Sequence, residues 1–180
     1  QLALPIYKEV LDNAGGARII RGFASNTANY QALGSASSNA DPCHLKSQYN
    51  FAIDEIHYIN LFDKAAVSHG LSDMYYVTDT SRNGVTDERQ DCANWCNINH
   101  SGLGMRPGAD VSSLGAPKLD AVTWIKTPGE SDGTTDTSGR YDPKCISGDS
   151  KIPAPEAGQW FPDFFTMLVQ NAHPSLGITR

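Results

Sequence analysis

Basic residues are scarce: 14 lysines and arginines stand against 20 aspartates and glutamates, giving a formal net charge of -6. No Lys/Arg cluster occurs, which argues against a polyanion such as nucleic acid as the natural partner. Long apolar runs are absent as well, so no segment could cross a bilayer as a helix, and no membrane partner is expected. Gln1-Leu2-Ala3-Leu4-Pro5 lacks the charged start and long apolar stretch of a signal peptide, as expected of a processed or partial chain. The five histidines have no metal-ligand spacing with one another, so neither a metal nor a cofactor is implied. Internal repeats and low-complexity linkers are missing too. At 180 residues the chain has the length of a single domain and can bury a core.

Cysteine is sparse. The four present are Cys43, Cys92, Cys96 and Cys145. An even set placed in loops suits two disulfides in an oxidising compartment, and hence a secreted, extracellular protein. A zinc site competes because Cys92 and Cys96 lie close together, but there is no second metal-type pair and no convincing histidine partner. Disulfides are the preferred reading. The single sequon, Asn99-His100-Ser101, lies beside Cys96 in a segment expected to be buried, and so to be unused.

What is present is an alternation of helical and strand-like segments. Leu4, Tyr7, Val10 and Leu11 recur at helical spacing, and Gly15-Gly16 gives a stop. Ala17–Ala24 reads as a strand. A long helix is expected from about Tyr49 to His69, with Ala52, Ile56, Ile59 and Ala66 on one face and Gly70 at its end. Strands follow at Met74–Thr78 and Ala121–Ile125, with an irregular segment 85–120 between them and Trp124 in the core. A last helix, Phe161 to Asn171, should bury Phe164, Phe165 and Leu168 before Pro174.

This order argues for a parallel α/β sheet. Each strand empties into a polar cluster: Asn29 after the first, Asp79 and Arg82 after the second, Lys126, Glu130 and Asp132 after the third. Parallel strands bring such clusters to one rim, where α/β folds gather their chemistry. The third cluster is the densest. Lys126-Thr127-Pro128-Gly129-Glu130-Ser131-Asp132-Gly133 packs a cation and two carboxylates into one tight loop. Carboxylates so placed suit an oxocarbenium-like transition state, as in sugar-bond hydrolysis. Three strands do not close a barrel, however. Either the chain is one side of an open sheet or it is part of a larger domain.

At these motifs the sequence resembles glycoside hydrolase family 6, the inverting cellobiohydrolases and endoglucanases. The matching pieces are Gly22-Phe23-Ala24-Ser25-Asn26-Thr27-Ala28-Asn29-Tyr30, Asp79-Thr80-Ser81-Arg82-Asn83-Gly84 and Asn94-Trp95-Cys96-Asn97. They continue through Gly102-Leu103-Gly104-Met105-Arg106-Pro107, Trp124-Ile125-Lys126, Gly129-Glu130-Ser131-Asp132-Gly133 and Pro153-Ala154-Pro155-Glu156-Ala157-Gly158, in family order. The resemblance implies that residues 1–180 are the C-terminal half of the catalytic domain, part of a distorted, seven-stranded parallel α/β barrel. The N-terminal half, which carries the proton-donating aspartate in the family, would then be the partner segment.

The resemblance also implies roles. Asp132 matches the catalytic base. Lys126 and Glu130 match residues that hydrogen-bond glucosyl hydroxyls, Asn29 a sugar-binding asparagine, and Trp95 a stacking platform. Arg82 matches an arginine that pairs with buried carboxylates of the other half and supports the chemistry without performing it. Cys96 and Cys145 match a family disulfide, which leaves Cys43–Cys92 as the second pair; Cys92 itself stands where a tryptophan is common. The expected substrate is cellulose or a cello-oligosaccharide. The long loop from Lys126 to Gly158, stapled by Cys145, favours a cellobiohydrolase over an endoglucanase, whose shorter loop leaves an open cleft. A glucan-binding fragment without turnover, or a purely structural fragment, is the alternative from another class.

Overall fold

The computed structural model describes residues 3–16, 20–26, 30–34, 52 and 54–177. In chain order the elements are helix α1 (Ala3–Asn13), strand β1 (Gly22–Ser25), helix α2 (Glu55–Ser68), strand β2 (Tyr75–Asp79), strand β3 (Leu119–Thr123) and helix α3 (Pro162–Gln170). The strands form one sheet in the order β1-β2-β3, with both pairings parallel. All three therefore leave the sheet at the same rim.

Local chemistry sets the element ends. The Gly16 N–H closes back onto the Leu11 carbonyl at 2.7 Å, with Gly15 and Gly16 both at positive φ, and this stops α1. Asp54 caps α2 by accepting the His57 N–H at 2.8 Å. Gly70, at φ 77°, follows the end of α2. Pro162 opens α3, where its missing N–H costs nothing. The helix expected from Tyr49 begins at Glu55, with Ala52 outside it, because Asp54 takes the cap. The strand expected from Ala17 begins at Gly22, with Ile20 and Arg21 outside it. Residues 49–51 and 17–19 lie outside the described residues.

Two further expectations need correction. Strand β3 begins at Leu119, two residues before the apolar run suggested, and Trp124 and Ile125 lie beyond it. The pairing with β2 skips Asp120, which leaves the ladder to bind Arg21 at 2.9 Å. A charged residue inside the strand broke the apolar pattern and hid its start. Trp124 is half-buried, packs against the core around α3, and donates its indole N–H to the Met105 carbonyl at 2.8 Å. The apolar stripe of α1 is also narrower than its spacing predicts. Leu4 and Leu11 are buried, but Tyr7 and Val10 are exposed.

Among the described residues, one sheet face is covered and the other only in part. Phe23 and Tyr76 point into the main core, where Phe23 meets Tyr7 of α1 and Phe62 of α2 edge-on. Ile59, Met74, Leu119 and Val122 complete that layer, each burial contributing roughly 1.5–3 kcal/mol. On the opposite face Ala24 is exposed, while Val77 and Ala121 are half-buried. Parallel sheets ordinarily bury both faces. A second core lies beneath α3, where Phe164 and Leu168 are buried and Phe165 is half-buried beside Trp160. Among the described residues, no helix is long and apolar enough to cross a membrane.

Candidate active site

The rim at the carboxyl ends of the strands is knit together by buried polar contacts. Asp79, the last residue of β2, accepts the Ser81 N–H through Oδ1 and the Lys126 N–H through Oδ2, both at 2.8 Å. This carboxylate ties the exit of β2 to the loop after β3. Asn26, after β1, donates to the Asp79 carbonyl at 3.1 Å. The Lys126–Asp132 loop is pinned from its other side by the chain preceding α3. Ser131 N–H reaches the Gln159 carbonyl at 2.9 Å, and Phe161 N–H reaches the Gly129 carbonyl at 2.8 Å. Gly129 is needed for this approach, because a Cβ there would sit 2.2 Å from the Trp160 ring.

Asp132 is the centre of the arrangement. Its side chain is 7% exposed. Oδ2 accepts from Arg82 Nη1 at 2.7 Å, from the Asn97 N–H at 2.9 Å and from the Tyr30 hydroxyl at 3.1 Å. Oδ1 faces Lys126 Nζ at 3.7 Å, and the same ammonium reaches Glu130 Oε2 at 3.3 Å. Asn97 also accepts the Asp132 N–H through its own side chain at 2.8 Å, so the two residues clasp each other. Three donors and a neighbouring ammonium fix the orientation of this carboxylate.

Arg82 is fully buried, with its guanidinium 4.5 Å above the Tyr30 ring. Burial opposes its charge, but its neighbours, Tyr30 and Asp132 foremost, outweigh burial and keep it protonated. The expected arginine partners were carboxylates outside this chain; the structure gives it Asp132 within the chain. Burial also pushes the Tyr30 phenol far above its usual range, so Tyr30 remains a hydrogen-bond donor.

Lys126, Glu130, Asp132 and Arg82 are thus brought together as the sequence predicts. Asn29 lies outside the described residues. Tyr30 and Asn97 were not predicted. The signal for Asn97 was its place beside a cysteine in a turn, since asparagine tolerates the left-handed conformation it adopts at φ 46°. Tyr30 stands in a polar run that reads as a loop, and nothing local marks it as buried.

Trp95 is 44% exposed and lines a cavity of about 490 Å³ together with Asp132, Thr134, Tyr141 and Glu156. Cys96 and Cys145 are disulfide-bonded on the same wall. Cys92 is also in a disulfide, but the expected Cys43–Cys92 pairing lies outside the described residues because Cys43 does. Among the described residues, no cluster of His, Cys, Asp or Glu has the arrangement to hold a metal. The sequon is less buried than expected: Asn99 is half-buried and His100 exposed, and only Ser101 is enclosed.

The disulfide presses on the loop beside Asp132. A Cβ at Gly133 would lie 2.6 Å from Cys145 Sγ, a cross-linked atom that cannot swing aside. Gly133→Ala is therefore expected to destabilise the fold by about 1–3 kcal/mol, as overpacking does. Thermal unfolding checks this, and an unchanged midpoint would mean the disulfide yields.

The chain matches the glycosyl hydrolases family 6 over residues 2–172. It is 42% identical over 177 residues to 1,4-beta-D-glucan cellobiohydrolase C of Emericella nidulans, covering 97% of this chain and 37% of that protein. It is 38% identical over 175 residues to Exoglucanase 3 of Agaricus bisporus, covering 97% and 38% respectively. In three dimensions it resembles the CcCel6A catalytic domain complexed with p-nitrophenyl beta-D-cellotrioside, with a TM-score of 0.85 and 40% identity over 98% of this chain and 47% of that one. CcCel6C from Coprinopsis cinerea gives the same TM-score of 0.85 at 35% identity, over 99% and 47%. The chain spans less than half the length of these relatives, and its three-stranded sheet is one part of their α/β barrel. It belongs to glycosyl hydrolase family 6.

Proposed function

We propose that this chain is the part of a secreted cellobiohydrolase catalytic domain that supplies the water-side carboxylate for inverting hydrolysis of β-1,4-glucan. The observation that carries the reading is Asp132: a nearly buried carboxylate, held by Arg82, Tyr30 and Asn97, at the edge of a cavity with an exposed tryptophan. Inversion needs a carboxylate to activate water on one face of the sugar while an acid protonates the leaving oxygen on the other. Asp132 takes the first role, and the partner segment of the domain takes the second.

Lys126 and Glu130, half-buried beside Asp132, bind glucosyl hydroxyls; Asn29 is assigned the same kind of contact. Trp95 offers a flat apolar face on which a pyranose ring stacks. Arg82 holds Asp132 in place. The reading needs no cofactor. The loop after Asp132 contributes Thr134, Tyr141 and Glu156 to the cavity wall, which supports a roofed site and release of cellobiose from chain ends. Relatives named cellobiohydrolase, and a related domain complexed with a cellotrioside, support glucan as the substrate. The disulfide supports secretion into an oxidising medium.

The test is the anomer first released when a complete domain containing this chain cuts cellotetraose, read by proton NMR. Inversion of a β-linkage yields the α-anomer at the newly formed reducing end, in addition to the anomers the substrate already carried. An initial excess of β at that new end would overturn the mechanism. Rapid loss of viscosity in soluble carboxymethylcellulose would move the protein to the endoglucanases, and binding without hydrolysis would leave a glucan-binding module.

A further inference from the structure

The segment that carries Trp95 and Asn97 is fastened along its length to the loop beyond Cys145, and one carboxylate collects most of the fastenings. Asp149 is only 5% exposed. Its Oδ2 accepts the Gln90 N–H at 2.8 Å and Asn94 Nδ2 at 2.9 Å, while Oδ1 takes the same Asn94 amide at 2.9 Å and the Ser147 hydroxyl at 2.7 Å. Its backbone carbonyl accepts the Asn99 N–H at 2.8 Å. Asn94 in turn accepts Lys144 Nζ at 2.9 Å through its own oxygen. Burial works to raise the pKa of Asp149, but donation from Asn94, Ser147 and Gln90 wins and holds the carboxyl below its ordinary range.

These contacts bracket Trp95. Gln90 and Asn94 precede it, Asn99 follows it, and the Cys96–Cys145 bond sits beside it. The Trp95 ring itself, being exposed, has little packing to hold it over the cavity. A stacking platform binds well only if it is held in place before the sugar arrives.

We propose that Asp149 is the positioning residue for Trp95: by gripping Gln90, Asn94 and Asn99 it orders the wall against which the glucan ring stacks. This rests on the glucan reading of the cavity given above. An amide cannot replace the carboxylate, because it keeps a single acceptor oxygen and turns N–H groups toward donors. Asp132 meets this segment through Asn97, but Arg82 and Tyr30 also hold it from other elements and keep it in place when the grip is lost.

The experiment compares Asp149→Asn with the unaltered complete domain, by steady-state kinetics on cellotetraose and by hydrogen exchange of peptides within residues 90–99. Exchange at Gln90, whose N–H the carboxylate holds, is expected to be faster by roughly tenfold as local opening becomes easier, while Asn99 keeps its bond to the backbone carbonyl. KM should rise about 5–10-fold with kcat within about twofold, the pattern of lost ground-state binding. Asn94→Ala, which removes the grip from the other side, should reproduce the rise in KM even if Asp149→Asn folds poorly. Ser147→Ala removes a bond that does not reach the Trp95 segment, and should leave KM unchanged. Unchanged exchange, faster exchange with normal KM, or an equal rise in KM for Ser147→Ala would each overturn the proposal. If the unaltered domain cuts no β-1,4-glucan, the glucan reading fails, while the exchange rates still decide whether Asp149 orders the segment.

Discussion

Replacing Asp132 by alanine in a complete catalytic domain is expected to lower kcat on soluble cello-oligosaccharides by ~10²-fold or more, with KM little changed. A carboxylate that activates water, or faces developing positive charge, acts mainly in the transition state. Its surroundings suit that role, since Arg82 fixes Oδ2 at 2.7 Å while Oδ1 faces Lys126 at 3.7 Å. The alanine variant also breaks a buried ion pair with Arg82, a change that costs on the order of 3–5 kcal/mol when one partner is removed. Asp132→Asn therefore belongs beside it, since the amide preserves the shape and one acceptor. Circular dichroism should report a folded protein for the amide variant, with kcat still depressed by a similar factor. Near-normal kcat in a folded Asp132→Asn protein would remove the residue from the chemistry.

Why some of this was legible in sequence and some was not follows from the range of the contacts. Three strands each running into a polar loop could be read directly, because parallel strands end at one rim whatever lies between them. The density of Lys126, Glu130 and Asp132 in one glycine-bounded loop was local, and so was visible. Arg82 and Asp132 are 50 residues apart, and Tyr30 and Asp132 are 102 apart. No spacing rule connects such pairs, so nothing in the sequence pointed Arg82 to a partner within the chain, and Tyr30 stood in a matching motif without a role. The start of β3 was hidden for another reason. Asp120 leaves the ladder to meet Arg21, and a strand with a residue out of register does not read as a strand.

The exposed stripe of α1 carries a different lesson. Helical spacing put Tyr7 and Val10 with Leu4 and Leu11, yet Tyr7 and Val10 are 43% and 59% exposed. Apolar periodicity records every surface a helix covers in the complete protein. Here it records more than the described residues supply.

The 180-residue chain by itself is accordingly expected to release no cellobiose, and to gain activity when the complementary part of the barrel is supplied. Inverting hydrolysis needs two carboxyl groups flanking the scissile bond, roughly 6.5–9.5 Å apart. Glu130 and Asp132 do not meet that need as a pair, because both face one ammonium, at 3.3 and 3.7 Å, and so stand on one wall. The fold points the same way. Strands β1 and β3 are the outer strands of an open three-stranded sheet, one sheet face carries little cover, and α1 presents Ile6 and Val10 to solvent. Edges and apolar faces of this kind are stable when another segment covers them, and invite association when none does. The purified chain should therefore self-associate on gel filtration and bind a hydrophobic dye. Co-refolding with the complementary segment should abolish both properties and bring hydrolysis. Two outcomes would sink the idea: cellobiose released by the chain alone in a preparation free of full-length enzyme, or a dye-silent monomer whose thermal unfolding is indifferent to the added segment.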